Sequence, residues 1–177
     1  QLVNSLRLRP LPVERPQELV ALNIETNGTG RTGRFMARRA LFTEPQYRAL
    51  EAEQRVFSDL LAWGVSSWNL ATDGEYQPAR GMYVSGRFFE TLGVGAHVGR
   101  VLTAADDVAG CGAPGAVLGY GFWQSRYGGN PAVVGQSIAL DNRTFPLVGV
   151  TRSQSPVVET ENGIGVHDVV SSVNSRG

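Results

Sequence analysis

The chain has 177 residues, 42% hydrophobic and 18% charged, which excludes a disordered polypeptide and a bilayer-embedded one. A single domain of this length buries about 70% of its unfolded surface, enough for a real core. Sixteen acids balance sixteen arginines, with no lysine, so no global field draws nucleic acid or an anionic membrane, and a Walker-type phosphate loop has no lysine to use.

Three prolines between Leu6 and Pro16 make residues 1–16 an extended lead-in. Leu19 to Ile24 reads as a short buried strand, followed by a polar loop from Glu25 to Arg34. A helix starts after Thr43, which forms a capping box with Gln46. Its apolar positions Tyr47, Leu50, Phe57, Leu60 and Leu61 carry it from Glu44 to Leu61.

Alternation at Trp68, Leu70 and Thr72, the Asp73-Gly74 turn and the return segment Tyr76 to Val84 predict a hairpin. Ser85 is placed to cap a short helix over Arg87 to Leu92, ended by Gly93. A turn over Leu102 to Asp107, a strand over Ala116 to Leu118, and a helix over Phe122 to Tyr127 stopped by Gly128-Gly129 follow. Pro131 to Gly135 forms a connecting turn. A second hairpin joins Gln136–Leu140 to Thr144–Val150 through Asp141-Asn142-Arg143. Residues 151–177 read as a loop-rich tail with Val157-Val158 and Val169-Val170 as its only apolar pairs. The sum is an α+β fold, an antiparallel or mixed sheet of hairpins packed with a few short helices in a porter-like layer architecture, and not a doubly wound parallel sheet.

Residues that carry chemistry elsewhere find little context here. Gly28-Thr29-Gly30-Arg31-Thr32-Gly33 is a literal GxGxxG. Three polar residues separate it from the preceding strand, and the next predicted element is a helix bearing Glu51 and Glu53 in place of a strand ending in an acid, so no βαβ unit can be drawn. Cys111 is alone, which excludes an intrachain disulfide and a multi-cysteine zinc site, and its Gly-rich surroundings offer no activating base. His97 and His167 have no metal-ligand spacing. His97 with Asp106 and Asp107 would be the one acid and imidazole grouping, and a solvated loop histidine is the simpler reading. Asp106-Asp107 lacks the alternating acids of a calcium loop and suits a turn or helix cap. No catalytic, cofactor-binding or metal residue is assigned. The alternative, a small nucleotide- or phosphate-binding enzyme, would use the Gly28–Gly33 loop.

Three blocks resemble one family. The lead-in Asn4-Ser5-Leu6-Arg7-Leu8-Arg9-Pro10-Leu11-Pro12-Val13 is similar to the segment by which MacB-like permeases leave their first transmembrane helix. Tyr83-Val84-Ser85-Gly86-Arg87-Phe88-Phe89-Glu90-Thr91-Leu92-Gly93-Val94, running on to Gly99-Arg100-Val101-Leu102, resembles the pattern VSxxFFxxLGV…GR. Ala116 to Gln136 followed by Phe145-Pro146-Leu147-Val148-Gly149-Val150 resembles VLSYGFWxRRFGGDPxVVG…FxVVGV. The resemblance covers roughly residues 3–150, and His167-Asp168-Val169-Val170 only loosely resembles a PDVW motif.

This resemblance to the MacB-like periplasmic core family implies one extracytoplasmic domain over residues 1–177 of an ABC-type permease of the bacterial inner membrane. On this reading the chain, which starts without Met, is a piece of a longer protein and lies on the periplasmic side. It implies a non-catalytic module without cofactor, rooted on the transmembrane segments of its own parent chain. A cytoplasmic ATPase would drive it through those helices, with a homodimer mate or an envelope protein as outside partner and no nucleic acid. Phe88, Phe89, Leu92, Phe122 and Trp123 are then core-forming aromatic and aliphatic residues.

Overall fold

The structure is a computed structural model. It describes residues 18–20, 22, 42–107 and 115–153, and the backbone of 159–160, 163–164 and 169–172. The chain divides into two units, a smaller one of residues Gln17–Leu60 and a larger one made of Gln1–Pro16 and Leu61–Gly177.

In the smaller unit, helix α1 spans Glu44–Glu53 and begins with the expected capping box: the Thr43 amide donates to Gln46 Oε1 at 2.8 Å, and Pro45 occupies the first turn. The helix stops eight residues before the predicted Leu61. Gln54 turns extended, and its side-chain Oε1 accepts from the amides of Val56 (3.0 Å) and Phe57 (2.9 Å), taking donors that a continuing helix would need. The Tyr47 hydroxyl lies 3.2 Å from both Glu51 Oε1 and the Leu60 carbonyl, folding the following segment back on the helix. The strand expected at Leu19 to Ile24 is not found among its described residues: Val20 and Leu22 are exposed and non-strand. A run of apolar residues with no partner ladder does not make a strand by itself.

The larger unit is a seven-stranded mixed sheet. Its strands are β1 (Trp63–Asn69), β2 (Pro78–Val84), β3 (Ala96–Gly99), β4 (Ala116–Leu118), β5 (Ser137–Leu140), β6 (Arg143–Thr151) and, beyond two short strands β7 (Glu159–Thr160) and β8 (Gly163–Ile164) that pair with each other, β9 (Val169–Ser172). The order across the sheet is β1-β2-β9-β4-β6-β3, with β5 also paired to β6. β2 with β9 and β4 with β6 are parallel; the remaining pairs are antiparallel. The α+β hairpin architecture read from the sequence is therefore the one observed.

The tail departs from that reading. Residues 169–172 form a strand seated between β2 and β4, in the middle of the sheet. Four residues are too few for a periodicity to announce, and Val169-Val170 has strand partners only because β2 and β4 leave a gap of one strand between them.

The two hairpins also differ from each other. β5 and β6 are joined by Asp141 and Asn142 alone, both with positive φ (49° and 63°), so Arg143 belongs to the strand and not to the turn. β1 and β2 close at the pair Asn69↔Pro78, leaving an eight-residue loop in place of a tight Asp73-Gly74 turn. Asn69 Oδ1 accepts from the amides of Ala71 (3.0 Å) and Gln77 (2.9 Å), and the side chain thereby holds the loop where a shorter turn would need the backbone.

Among the described residues, three short α-helices accompany the strands. Besides α1, α2 covers Phe88–Thr91 and α3 covers Tyr120–Tyr127, the latter starting two residues before the predicted Phe122 and ending at Gly128 in the left-handed conformation (φ 59°). Strand alternation sends Ala116 and Leu118 to one face and Val117 to the other, and all three are fully buried. On the first face Trp68, Ala116, Leu118, Trp123, Val133, Ile138, Leu140, Leu147 and Val150 form one apolar cluster. The opposite face carries Met82 and Val117 in register through Val170 of β9. Phe88, Phe89, Leu92 and Trp123 are buried as expected, and Phe122 packs half-buried against the cluster.

Candidate functional site

The chemistry of the larger unit concentrates where β3 leaves the sheet. Gly99 of β3 stands opposite Gly149 of β6, and neither position has space for a side chain. A Cβ on Gly149 would lie 2.8 Å from both the Arg100 nitrogen and the Val98 oxygen and would also meet the Arg100 oxygen; one on Gly99 would run into the Val148 oxygen. Two facing glycines allow this approach, and the Arg100 amide then donates to the Val148 carbonyl at 2.9 Å.

That approach aims the Arg100 side chain at the next turn. Its guanidinium grips Asp106 with both prongs, Nη1 to Oδ2 at 2.6 Å and Nη2 to Oδ1 at 2.8 Å. Asp106 sits in a 3-10 turn over Ala104–Asp106 capped by Thr103, whose amide (2.8 Å) and hydroxyl (3.0 Å) donate to the same Oδ2. The carboxylate is almost buried while the Arg100 side chain remains half-exposed. The Arg100 hydrogen bond, helped by those from Thr103 and opposed by burial, holds the Asp106 carboxyl below the usual carboxylate range. Reciprocally, the Asp106 hydrogen bond raises the Arg100 guanidinium.

The neighbouring carboxylate faces a different partner. Asp107 Oδ2 accepts from the Gly86 amide at 3.0 Å. Gly86 is buried against this turn: an added Cβ would stand 2.7 Å from Asp107 Cβ and the Thr103 oxygen and 2.8 Å from Ala104 Cα. Just before it, Ser85 does not cap α2, whose N-cap is Arg87 with no side-chain bond. The Ser85 hydroxyl accepts from the Ala62 amide at 3.0 Å and its own amide donates to the Ala62 carbonyl at 2.9 Å, extending the β1–β2 ladder by one step. A completely buried hydroxyl at a strand end is better satisfied there than at a short helix.

The aromatic residues form a second grouping. Trp68 Nε1 donates to the Tyr83 hydroxyl at 3.1 Å with the rings edge to face, and Trp123 Nε1 donates to the Asn130 carbonyl at 2.9 Å. His97 lies on β3, not in a loop, with its ring 5.2 Å from Tyr120 and 5.3 Å from Trp123. The two indole N–H groups are thus spent on a ring hydroxyl and on backbone, as expected of fold-forming side chains, while the Tyr120 hydroxyl accepts from Gln124 Nε2 at 3.2 Å.

His97 is thus placed on the α3 aromatics, while Asp106 and Asp107 are engaged by Arg100, Thr103 and Gly86. Oxygens already occupied by protein donors suit a turn, in keeping with the cap reading. Among the described residues no group of three or more His, Cys, Asp or Glu side chains gathers. No helix among the described residues is long and apolar enough to cross a membrane. Cys111, His167 and the Gly28–Gly33 loop lie outside the described residues. What the sequence reading missed was Arg100 as the partner of Asp106. The signal was present in Thr103-Ala104-Ala105-Asp106, a capping-box spacing directly after the Gly99-Arg100 pair.

Comparison with known proteins agrees with these features. A sequence model of the family described as MacB-like periplasmic core domain matches residues 4–172. Among solved structures, the extracellular domain of the noncanonic ABC-type transporter YknZ from Gram-positive bacteria is similar, with a TM-score of 0.57, 15% identity, and coverage of 75% of this chain and 63% of that one. The periplasmic region of MacB from Actinobacillus actinomycetemcomitans has a TM-score of 0.50 and 18% identity, over 73% of this chain and 64% of that one. The chain therefore spans somewhat under two thirds of each of these chains, and at such identities the likeness is one of fold. No curated protein matches by sequence. With the family model matching residues 4–172, the chain belongs to the MacB-like periplasmic core domain family.

Proposed function

We propose that this domain stands outside the cytoplasmic membrane of a bacterium as a non-catalytic part of an ABC-type permease, and that it works by moving as a body. The observation that carries this reading is the family match over residues 4–172, joined to a sheet like those of two extracytoplasmic transporter domains. Nucleotide hydrolysis by a cytoplasmic ATPase subunit or domain shifts the transmembrane segments of the parent chain, and the domain follows them. Its surface then opens or closes against a homodimer mate, an envelope protein or cargo. The wide apolar cluster and the glycine-locked β3–β6 contact support rigidity, because packed layers transmit displacement without deforming. The site residues do the architectural work: Arg100, Asp106, Asp107 and Gly86 fix turns, and the aromatics fill the core.

Topology gives a direct test. Ser67→Cys lies at an exposed position of β1, and in a parent permease with Cys111 and every other native cysteine replaced by Ser it becomes the reporter. A membrane-impermeant maleimide added to intact spheroplasts is expected to label it fully. Labelling that occurs only after lysis would contradict the extracytoplasmic placement.

A further inference from the structure

Ala62, Ser85, Gly86, Asp107, Asp106 and Arg100 are linked in series, and we propose that they form a polar strap that couples the start of β1 to the β3–β6 edge of the same sheet. The inference rests on the proposed function only for its use. Its physical content concerns this chain alone.

The strap is built from short links between segments far apart in sequence. Ala62 and Ser85 exchange two bonds, at 2.9 and 3.0 Å, across 23 residues. Gly86 reaches Asp107 across 21 residues. Asp106, one residue back, reaches Arg100 and Thr103. Arg100 is tied by its amide to Val148 of β6, and the Gly99–Gly149 contact leaves that tie little slack.

The hub is the turn at residues 103–107. Its two adjacent carboxylates are held by different elements, Asp106 by the strand that has just left the sheet and Asp107 by the loop that follows β2. Gly86 lies flush on the turn, so the two holds cannot relax independently. Ser85 and Asp106 are both buried, and a buried polar group released from its partner has no nearby water to replace it. Loosening one end of such a network therefore exposes the rest. The sheet ladder alone connects β1 to β3 through β2, β9, β4 and β6, whereas the strap does so through one turn.

Amide hydrogen exchange on the 177-residue chain tests this. In Asp106→Asn the exchange rates at Arg100, Gly86 and Ala62 are expected to rise together, each by at least about tenfold, while Ile138 and Leu140 of β5 stay at their original rates. From the other end, Ser85→Ala is expected to raise exchange at Arg100, since coupling is reciprocal. Should Asp106→Asn fail to fold, Arg100→Lys keeps the charge, gives up the two-pronged grip and carries the same expectation. A rise confined to residues 100–106 overturns the strap, as does an equal rise at Ile138 and Leu140 in both Asp106→Asn and Arg100→Lys. Either result leaves the transmission reading standing, because these measurements involve neither ATP nor membrane; that reading fails on its own test in the parent permease.

Discussion

Two regions of the larger unit hold together by different physics. In one, Trp68, Trp123, Leu118, Leu140, Leu147 and Val150 exclude water from a broad area, and the contribution is spread over many contacts with no single required geometry. In the other, the 99–107 segment depends on a few distances: two facing glycines, a two-pronged ion pair and a carboxylate against the Gly86 amide. The apolar cluster supplies stability in bulk and tolerates volume-conserving exchange. The polar turn fixes where β3, β6 and the loop after β2 stand, and tolerates almost no change.

Substitutions separate these modes. Trp123→Ala should cost the most, about 3–5 kcal/mol in denaturant unfolding, because it opens a cavity in the cluster and removes the indole N–H that donates to the Asn130 carbonyl. Gly149→Ala should cost on the order of 3 kcal/mol with no loss of apolar area, since the atoms nearest its methyl are unyielding backbone of Val98 and Arg100. A cost under about 0.5 kcal/mol there would show that β3 can shift away, and would erase the distinction between the two regions.

Asp106→Asn should cost about 1–2 kcal/mol at neutral pH, as expected for charge-assisted hydrogen bonds to a nearly buried carboxylate whose Arg100 partner is half-exposed and screened by solvent. Its pH dependence has a definite sign. The folded carboxyl is held below its unfolded value of about 3.9, so its contribution is complete above that pH and disappears as acid carries the protein through the lower folded value. Wild type should therefore lose stability more steeply than Asp106→Asn below about pH 4. Parallel acid limbs would show that the pair contributes nothing. The smallest effect is expected at the β5–β6 turn: Asn142 has φ 63°, so Asn142→Ala should cost about 1 kcal/mol and Asn142→Gly less than about 0.5.

How much of this the sequence disclosed follows from how local each interaction is. The Thr43–Gln46 box and the α3 stop at Gly128 depend on neighbours within a few residues and were legible, the β5–β6 turn was legible to within Arg143, and the burial of Phe88, Phe89 and Trp123 was legible from their spacing although distant residues complete it. The end of α1 was misplaced because Gln54 takes its donors from the backbone just ahead, which apolar periodicity does not register. Ser85 was assigned to the helix after it, whereas its partner Ala62 lies 23 residues before it. β9 was invisible for the same reason: its place is set by β2 and β4, not by its own four residues. In the candidate site Asp106 and Asp107 stood out, but the partners that give them a role, Arg100 and Gly86, emerge only when β3 and the loop after β2 meet at one turn.

The central claim is that the domain is displaced without being deformed, and pulsed electron spin resonance distances in the parent permease test it directly. Spin labels at Ser67 and Thr144, both exposed, report within the domain. A third label on a transmembrane helix reports its movement against the membrane. Between the nucleotide-free and the ATP-trapped state the Ser67–Thr144 distance should hold while the distances to the membrane helix change by several ångströms. An internal distance that moves as far as the external ones, or external distances that do not respond to ATP, would contradict the account.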